Sequence, residues 1–288
     1  MFSLYLLKIF EKSLSSKCLP SDWKTAFVSP VFKKGDKSLA ENYRPISLTS
    51  GVCRVFEHLF ADYINSCFNK INFIFRGQHG FRAGYSCESQ LASLAQEISQ
   101  AVDERDQIDV IFLDFKKAFD VVPHYQLCSK LANVGIDPSV FYWIQNFLFS
   151  RRQAVKVDEN LSSFIEVPSG VPQGSVLGPM LYIIHSSDFH HGLVSNVRKF
   201  ADDSATSKKI RDVSDCILLQ KDLDRIEIWC ILNGMTLSIG KCQIVSFCNK
   251  HEKIIFDYKI NGESIPRTDS ALYLGVIFSE HIFLFHHR

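Results

Sequence analysis

The amino-acid sequence predicts an α+β fold in which helices pack on a largely antiparallel sheet. Helical and strand patterns follow one another irregularly, without the steady strand–helix alternation of parallel α/β proteins. The chain has 288 residues, 46% hydrophobic and 22% charged, so it carries enough apolar material for a core. Lys and Arg number 32 and Asp and Glu 31, so bulk charge gives no argument for a nucleic-acid partner.

The first half of the chain carries four helical patterns and two strand patterns. Apolar residues at helical spacing, with proline or glycine nearby as stop signals, predict helices at residues 2–14, 88–102, 125–134 and 139–149. Alternating apolar residues predict a strand at 25–34, followed by a Gly35-Asp36 turn. A short apolar run bounded by charges predicts a buried strand at 108–113.

The second half of the chain begins with a hairpin pattern around Glu159-Asn160, between predicted strands 153–158 and 163–167. A loop rich in proline and glycine then leads into a predicted helix at 176–185, followed by a strand at 197–201. The clearest helix is expected at 212–233, where Asn233-Gly234 supplies the stop signal. Three further strands are predicted at 244–247, 254–260 and 271–278.

Cysteine usage and hydropathy indicate the compartment. The nine cysteines are odd in number, scattered and without a CxxC pair, which argues against a disulfide framework and against a zinc knuckle. The apolar start is too short for a signal peptide. The longest uncharged stretch, residues 167–187, contains three prolines and three glycines, so it is not expected to cross a membrane. We therefore expect an intracellular protein of the cytoplasm or nucleus.

Aspartates follow two of the predicted strands. Asp114 comes directly after the strand at 108–113, and Asp202 and Asp203 follow Phe200. A single carboxylate at a strand end is most simply a turn or cap residue, but two adjacent charges repel and a cation would relieve that repulsion. Carboxylates without histidine or cysteine suit Mg²⁺ or Mn²⁺. If the strands are neighbours, two ions about 3.5–4 Å apart could clamp a phosphoryl transfer.

Several segments, in order, resemble one family. FLDFKKAFD, SGVPQGSVLGP and FADD resemble the successive palm motifs of reverse transcriptases, most closely those of jockey-type non-LTR retrotransposons. NYRPISL and QHGFRAGYSC resemble finger segments of that group, and YLGV resembles its primer-gripping turn. The resemblance covers roughly residues 20–278, which makes it far more specific than a lone ADD motif.

The resemblance implies a right-hand polymerase with an antiparallel palm sheet packed on helices. One reverse transcriptase domain would fill residues 1–288, with fingers at about 1–105 and 125–168 and palm at about 106–124 and 169–279. The chain stops near the place where the thumb would begin, so thumb and endonuclease are expected to be absent and the chain a truncated fragment. The implied partners are an RNA template, a DNA primer and deoxynucleoside triphosphates, with no membrane and an open oligomeric state.

The resemblance also implies roles for individual residues. Asp114, Asp202 and Asp203 match the catalytic aspartates that hold two Mg²⁺ (or Mn²⁺) ions, and Lys241 matches a lysine that donates a proton to the leaving pyrophosphate. Phe119 matches the ring that excludes a 2′-hydroxyl. The expected nucleotide-binding residues are Phe119, Gln173, Gly174, Arg44, Lys33 and Lys34. The expected primer-grip residues are Tyr273, Leu274 and Gly275.

Departures from the family pattern leave alternatives open. His185 and Ser187 stand where these enzymes usually carry Tyr and Asn. Together with the early end of the chain, this favours a relic that folds or binds nucleic acid without catalysis, whereas the intact aspartates favour activity. A palm polymerase that makes RNA is a further alternative, and Phe119 argues against it.

Overall fold

A computed structural model describes residues 2–249 and 252–280. The chain forms two compact units. The described part of the first comprises residues 2–74 and 119–186, and that of the second comprises residues 75–118, 187–249 and 252–280. Residues 75–105 therefore lie with the strand at 108–113, and residues 169–186 lie with the N-terminal segment. The expected division into fingers and palm stays a prediction.

Helices and strands are numbered in chain order. The helices are α1 (Phe2–Ser16), α2 (Gly51–Ile71), α3 (Cys87–Asp103), α4 (His124–Ala132), α5 (Pro138–Leu148), α6 (Leu177–His185) and α7 (Val213–Leu232). The strands are β1 (Thr25–Phe32), β2 (Tyr43–Leu48), β3 (Gln107–Leu113), β4 (Arg151–Val157), β5 (Asn160–Leu161), β6 (Ile165–Val167), β7 (Asn196–Phe200), β8 (Asp203–Ile210), β9 (Gln243–Phe247), β10 (Lys259–Ile260), β11 (Glu263–Ser264), β12 (Ser270–Tyr273) and β13 (Val276–Ser279).

The first unit is built from helices around a small sheet. Its strands lie in the order β2-β1-β4-β5, and β6 also pairs with β4. Aromatic rings join α1, α2 and α5: Phe10 stacks on Phe56 at 4.3 Å, and Phe60 lies 4.3 Å from Trp143. The Trp143 indole N–H donates to Ser13 Oγ at 3.0 Å, which satisfies the polar end of a fully buried ring. These contacts form the core that holds α2 and α5 in place.

The second unit contains the predicted antiparallel sheet, in the order β7-β8-β3-β9. Helix α3 packs on it through Leu94, Ile98 and Ala101, which are fully buried. Every residue of β3 is buried, because the strand is central in the sheet and pairs with β8 and β9. This unit confirms the prediction of helices packed on an antiparallel sheet.

The strand predicted at 254–260 is wrong for most of its length, because only Lys259–Ile260 pair, with Glu263–Ser264. Side chains take the place of a sheet ladder upstream. Ile254 donates its N–H to Gln107 Oε1 at 2.8 Å, and its carbonyl accepts from Gln107 Nε2 at 2.9 Å. Arg267 donates to the Phe256 carbonyl at 3.0 Å. The backbone is thus satisfied without strand pairing.

The strand predicted at 271–278 is a hairpin instead. Tyr273 pairs with Val276, and the two residues between them have positive φ angles, +49° at Leu274 and +83° at Gly275. Positive φ at both central residues is typical of the tight turn that matches the twist of two antiparallel strands. The chain therefore reverses in the middle of a run that is apolar throughout.

The nine cysteines all lie in the described part of the chain, and each is a free thiol, as expected. Six are buried, among them Cys53 and Cys128 in the first unit and Cys216, Cys230 and Cys242 in the second. Across residues 2–249 and 252–280, no helix is both long enough and apolar enough to cross a membrane.

Candidate active site

The register of the second unit's sheet places two aspartates at the same end of two paired strands. Strand β3 pairs antiparallel to β8, and the last pair joins Leu113 to Ser204. Asp114 directly follows Leu113, and Asp203 directly precedes Ser204, so the two aspartates flank the last pair. Asp203 is exposed and Asp114 half-buried, so two carboxylates stand at one end of the sheet within reach of solvent.

The third aspartate lies in the turn that joins β7 to β8. Phe200 pairs with Asp203, so Ala201 and Asp202 form a two-residue turn, and Ala201 has a φ of +59°. Glycine is the usual residue at such a first position, and an alanine there stores backbone strain of about 1–3 kcal/mol. Asp202 is half-buried, so it too is accessible from solvent.

A neighbouring segment holds this turn. His79 donates its N–H to the Lys199 carbonyl at 2.9 Å, and Lys199 donates its N–H to the Gly77 carbonyl at 2.8 Å. A Cβ on Gly80 would lie 2.6 Å from the Ala201 nitrogen, so only glycine permits this approach. The segment QHGFRAGYSC thus lies along β7 and packs against the residue before Asp202.

Lys241 lies beside Asp114. The Ser238 N–H donates to the Asp114 carbonyl at 2.7 Å and brings the short helical turn Ile239–Lys241 alongside. Lys241 Nζ then lies 3.9 Å from Asp114 Oδ1, with 72% and 43% of the two side chains exposed. The structure therefore brings together the lysine and the aspartate that sequence analysis had assigned to one site.

The three aspartates do not form a preassembled three-ligand cage. Within the described residues, no group of three or more His, Cys, Asp or Glu side chains could hold a metal ion. Mg²⁺ is commonly bound by one or two carboxylates together with substrate phosphates and water. Asp114 and Asp203, which are oxygen donors at the end of the β3–β8 pair and within reach of solvent, fit a site of that kind, which the substrate completes.

The expected nucleotide-binding residues lie in the first unit. Phe119 is half-buried and stacks on Tyr182, with ring centroids 4.7 Å apart and planes 21° from parallel. The ring is therefore held in one orientation by packing. Its expected role against a 2′-hydroxyl stays a prediction.

The loop that carries Gln173 and Gly174 is tied to β2 and to Asp120. Ser47 donates its N–H to the Gln173 carbonyl at 2.7 Å, and Gln173 Nε2 donates to Asp120 Oδ1 at 2.7 Å. Gly174 has a φ of +113°, and a Cβ there would lie 2.8 Å from the Ser47 carbonyl oxygen. Only glycine fits at this position, and the backbone of the loop has one defined path.

The three expected phosphate-binding cations are exposed and share one end of the β1–β2 pair. Arg44 lies opposite Val31, and Lys33 donates its N–H to the Asn42 carbonyl at 2.9 Å, just beyond the last strand pair. Lys34 is the next residue along. Exposed cations at the end of a hairpin can meet an anionic ligand without a desolvation cost on folding.

The expected primer-grip residues form the turn of the β12–β13 hairpin. Tyr273 is buried, packs on Phe112 at 5.2 Å and accepts a hydrogen bond from Gln90 Nε2 at 3.1 Å. Burial raises the pKa of the Tyr273 hydroxyl, and the charge of Asp203 adds to that rise. Leu274 is half-buried and packs against the same core, whereas Gly275 is exposed, so the buried tyrosine anchors a turn that is accessible at Gly275.

Sequence analysis did not single out Glu57, which is fully buried on α2. Its Oε2 accepts the N–H groups of Val176 and Leu177, at 2.8 and 3.0 Å, where α6 begins. A detectable signal exists, because Glu57 stands among Cys53, Phe56 and Phe60 on the apolar face of an amphipathic helix. A charged residue on such a face requires a buried partner.

A sequence profile of the family described as Reverse transcriptase (RNA-dependent DNA polymerase) matches residues 31–278. The probable RNA-directed DNA polymerase from transposon X-element of Drosophila melanogaster is 32% identical over 97% of this chain and 32% of its own length. The RNA-directed DNA polymerase from mobile element jockey of Drosophila funebris is 32% identical over 95% of this chain and 31% of its own length. The chain thus spans about one third of the length of the curated relatives it matches.

Solved structures show the same fold. Apo telomerase from Candida tropicalis, truncated from its C-terminal domain, superposes with a TM-score of 0.62 at 9% identity, over 96% of this chain and 58% of that one. Telomerase from the same organism in complex with a fragment of telomeric RNA gives 0.57 at 10% identity, over 96% and 48%. The predicted fold and the family resemblance are both confirmed.

Proposed function

This chain belongs to the reverse transcriptase family, and from that premise we propose that it adds deoxynucleotides to a primer 3′-hydroxyl under the direction of an RNA template. The observation that carries the proposal is the register of β3 and β8, whose last pair, Leu113 with Ser204, is flanked by Asp114 and Asp203, with Asp202 in the adjoining turn. The telomerase that was solved with RNA supports an RNA template here. The names of the relatives support DNA as the product.

The family uses divalent metal ions, and the donor set here suits Mg²⁺ or Mn²⁺. We assign two such ions to Asp114, Asp202 and Asp203. When bound, they would favour deprotonation of the primer hydroxyl and neutralise the triphosphate. We assign to Lys241 the role of donating a proton to the departing pyrophosphate. Its ammonium lies 3.9 Å from Asp114 Oδ1.

The remaining residues bind and orient the nucleotide and the primer. Arg44, Lys33 and Lys34 offer exposed cations for the triphosphate. The fixed Gln173–Gly174 backbone offers a close surface for the nucleotide. Phe119 presents a ring that leaves no room for a 2′-hydroxyl, and the turn Tyr273–Gly275 supports the primer strand.

Primer extension tests the proposal directly. The full chain is incubated with an RNA template, a labelled DNA primer, Mg²⁺ and either deoxynucleotides or ribonucleotides. We expect incorporation of deoxynucleotides that a chelator abolishes. Asp202→Asn should reduce the rate roughly a thousandfold, because the loss of one metal ligand removes several kcal/mol of charge stabilisation.

Asp103→Asn supplies the matched control, since Asp103 is an exposed aspartate at the end of α3 and should leave the rate unchanged. The absence of any incorporation by the folded wild-type chain would favour the relic. Preferential incorporation of ribonucleotides would favour an RNA-producing palm polymerase. Equal losses in both variants would overturn the assignment of Asp202.

A further inference from the structure

The N-terminus of α6 is capped by a carboxylate from a distant part of the chain. The first N–H groups of a helix lack partners within the helix, and the helix dipole favours a negative charge there. The capping position, Val176, provides no side-chain hydrogen bond. Glu57 Oε2 instead accepts from both Val176 and Leu177, 119 and 120 residues away in sequence. One buried side chain therefore closes the end of α6.

A buried cation accompanies this carboxylate. Arg151 is 3% exposed, donates to the Phe147 carbonyl at 3.0 Å and stands over the Phe147 ring at 4.7 Å. Burial raises the pKa of Glu57, and the two N–H groups and the charge of Arg151 oppose that rise. The charge of Arg151 therefore offsets part of the cost of burying Glu57, although Glu57 Oε1 and one Arg151 terminal nitrogen are buried without a hydrogen-bond partner.

The capped helix end is continuous with the loop that carries Gln173 and Gly174. Ser175 Oγ donates to the Pro172 carbonyl at 2.9 Å and accepts the Gly178 N–H at 3.0 Å. A Cβ on Gly178 would lie 2.8 Å from the Pro172 carbonyl oxygen, so the loop and the first turn of α6 pack without slack. Ser47 holds this loop at Gln173 and Glu57 holds it at Val176.

We propose that Glu57 is a positioning residue for nucleotide incorporation, and that it acts by fixing the Gln173–Gly174 loop through the N-terminus of α6. The inference rests on the proposed function for its kinetic consequence. The mechanical part, that Glu57 holds the loop, stands on the hydrogen bonds alone. The two parts are therefore tested separately.

Hydrogen exchange tests the mechanical part without any need for activity. Glu57→Ala removes both acceptor and charge, whereas Glu57→Gln keeps an acceptor oxygen and loses the charge. We expect faster amide exchange at residues 173–178 in both variants, and a larger increase in Glu57→Ala. Asp62→Asn, which neutralises an exposed carboxylate on the same helix, should leave exchange unchanged. Unaltered exchange at residues 173–178 in both variants would overturn the proposal.

Steady-state kinetics test the consequence for the reaction. Glu57→Ala should raise KM for the deoxynucleotide about tenfold, as expected for loss of charge-assisted hydrogen bonds, with a smaller change in kcat. Glu57→Gln should recover part of this loss. In a Gln173→Ala background, Glu57→Ala should raise KM much less, because Glu57 and Gln173 act through the same loop.

The outcomes separate this inference from the proposed function. A wild-type chain that incorporates no nucleotide would contradict the proposed function, while exchange at residues 173–178 would still decide whether Glu57 holds the loop. If the wild type is active, equal effects of Glu57→Ala with and without Gln173→Ala would show that Glu57 does not act through the loop. Reduced stability with an unchanged KM would show a purely structural role.

Discussion

The two units place their candidate site residues by different physical means. In the second unit, Asp114, Asp202 and Asp203 lie at a strand end, accessible to solvent, where the backbone register of β3 and β8 places Asp114 and Asp203 beside the last strand pair. In the first unit, Gln173 and Gly174 are placed by side-chain contacts with Asp120 and Glu57 and by close packing on β2. Substitutions of the aspartates in the second unit should therefore reduce activity with little loss of stability. Substitutions around Gln173 and Gly174 in the first unit should reduce both.

The largest loss of stability is expected at Phe119. Phe119→Ala removes a half-buried ring that stacks on Tyr182, and should lower the free energy of unfolding by about 3 kcal/mol. In the same variant, ribonucleotide incorporation should rise relative to deoxynucleotide incorporation. Urea denaturation and competitive primer extension measure the two effects.

Tyr5→Ala is the control for Phe119, because 62% of Tyr5 is exposed and its loss should change stability by less than about 0.5 kcal/mol. An unchanged midpoint for Phe119→Ala would mean that the ring does not support the first unit. Unchanged sugar discrimination would reduce Phe119 to a packing residue.

A methyl group at Gly174 should produce the next largest effect. Gly174→Ala combines a φ of +113° with a Cβ 2.8 Å from the Ser47 carbonyl oxygen, and should destabilise the chain by about 2 kcal/mol. Gly51→Ala, with nothing within 4 Å of its Cβ, should cost no stability. Equal denaturation midpoints for the two variants would contradict the close packing of this loop.

Acid should destabilise the first unit through His124. This residue is buried, donates from Nε2 to the Gly170 carbonyl at 2.7 Å, and has its pKa lowered below 6.5 chiefly by burial. A lowered pKa favours the neutral ring in the folded state. Its contribution is therefore complete above pH 6.5 and is lost as the pH falls below that value.

His124→Gln should flatten this pH dependence, at a cost of about 1 kcal/mol at pH 7. Denaturation at a series of pH values from 7.5 down to 5 measures the slope. His79 and His190 also have lowered pKa values and supply a remaining slope in both proteins. Identical slopes for wild type and variant would show that His124 is charged or solvated in the folded chain.

The smallest effect on stability is expected in the second unit. Lys241→Gln breaks an ion pair whose partners are 72% and 43% exposed, and such pairs contribute less than about 1 kcal/mol. A fall in incorporation rate at unchanged stability would support proton delivery by Lys241. A loss of stability comparable to that of Gly174→Ala would erase the contrast between the units.

Local patterns were sufficient to predict strands β3, β7 and β9 of the second unit's sheet and the aspartates that follow β3 and β7, because strand ends and apolar alternation depend on neighbouring residues. Helix α2 is predictable by the same reasoning, since Cys53, Phe56, Phe60 and Ile64 recur at helical spacing, although it is absent from the predicted elements. Glu57 lies in that apolar stripe, and its charge there indicates a buried partner. Strands β2 and β8, adjoining the recognised motifs, were also not assigned.

Other features could not follow from local sequence. The segment at 254–258 avoids strand pairing because Gln107 and Arg267, remote in sequence, satisfy its backbone. The hairpin turn at Leu274-Gly275 lacks the usual Asn-Gly or Asp-Gly signature. The hydrogen bonds from Val176 and Leu177 to Glu57 join segments more than a hundred residues apart, so no spacing rule reveals them.

The free thiols allow the opening of each unit to be measured separately by alkylation. Burial raises the pKa of Cys128 to about 11 and that of Cys230 to about 12, and it also raises the pKa of Cys53 and Cys242. An alkylating reagent needs the thiolate, so these groups react only when their surroundings open. Cys18 is exposed and should react while the chain is still folded. Mass spectrometry after timed alkylation would thus measure the rate at which the first unit opens, from Cys53 and Cys128, and the rate at which the second opens, from Cys230 and Cys242.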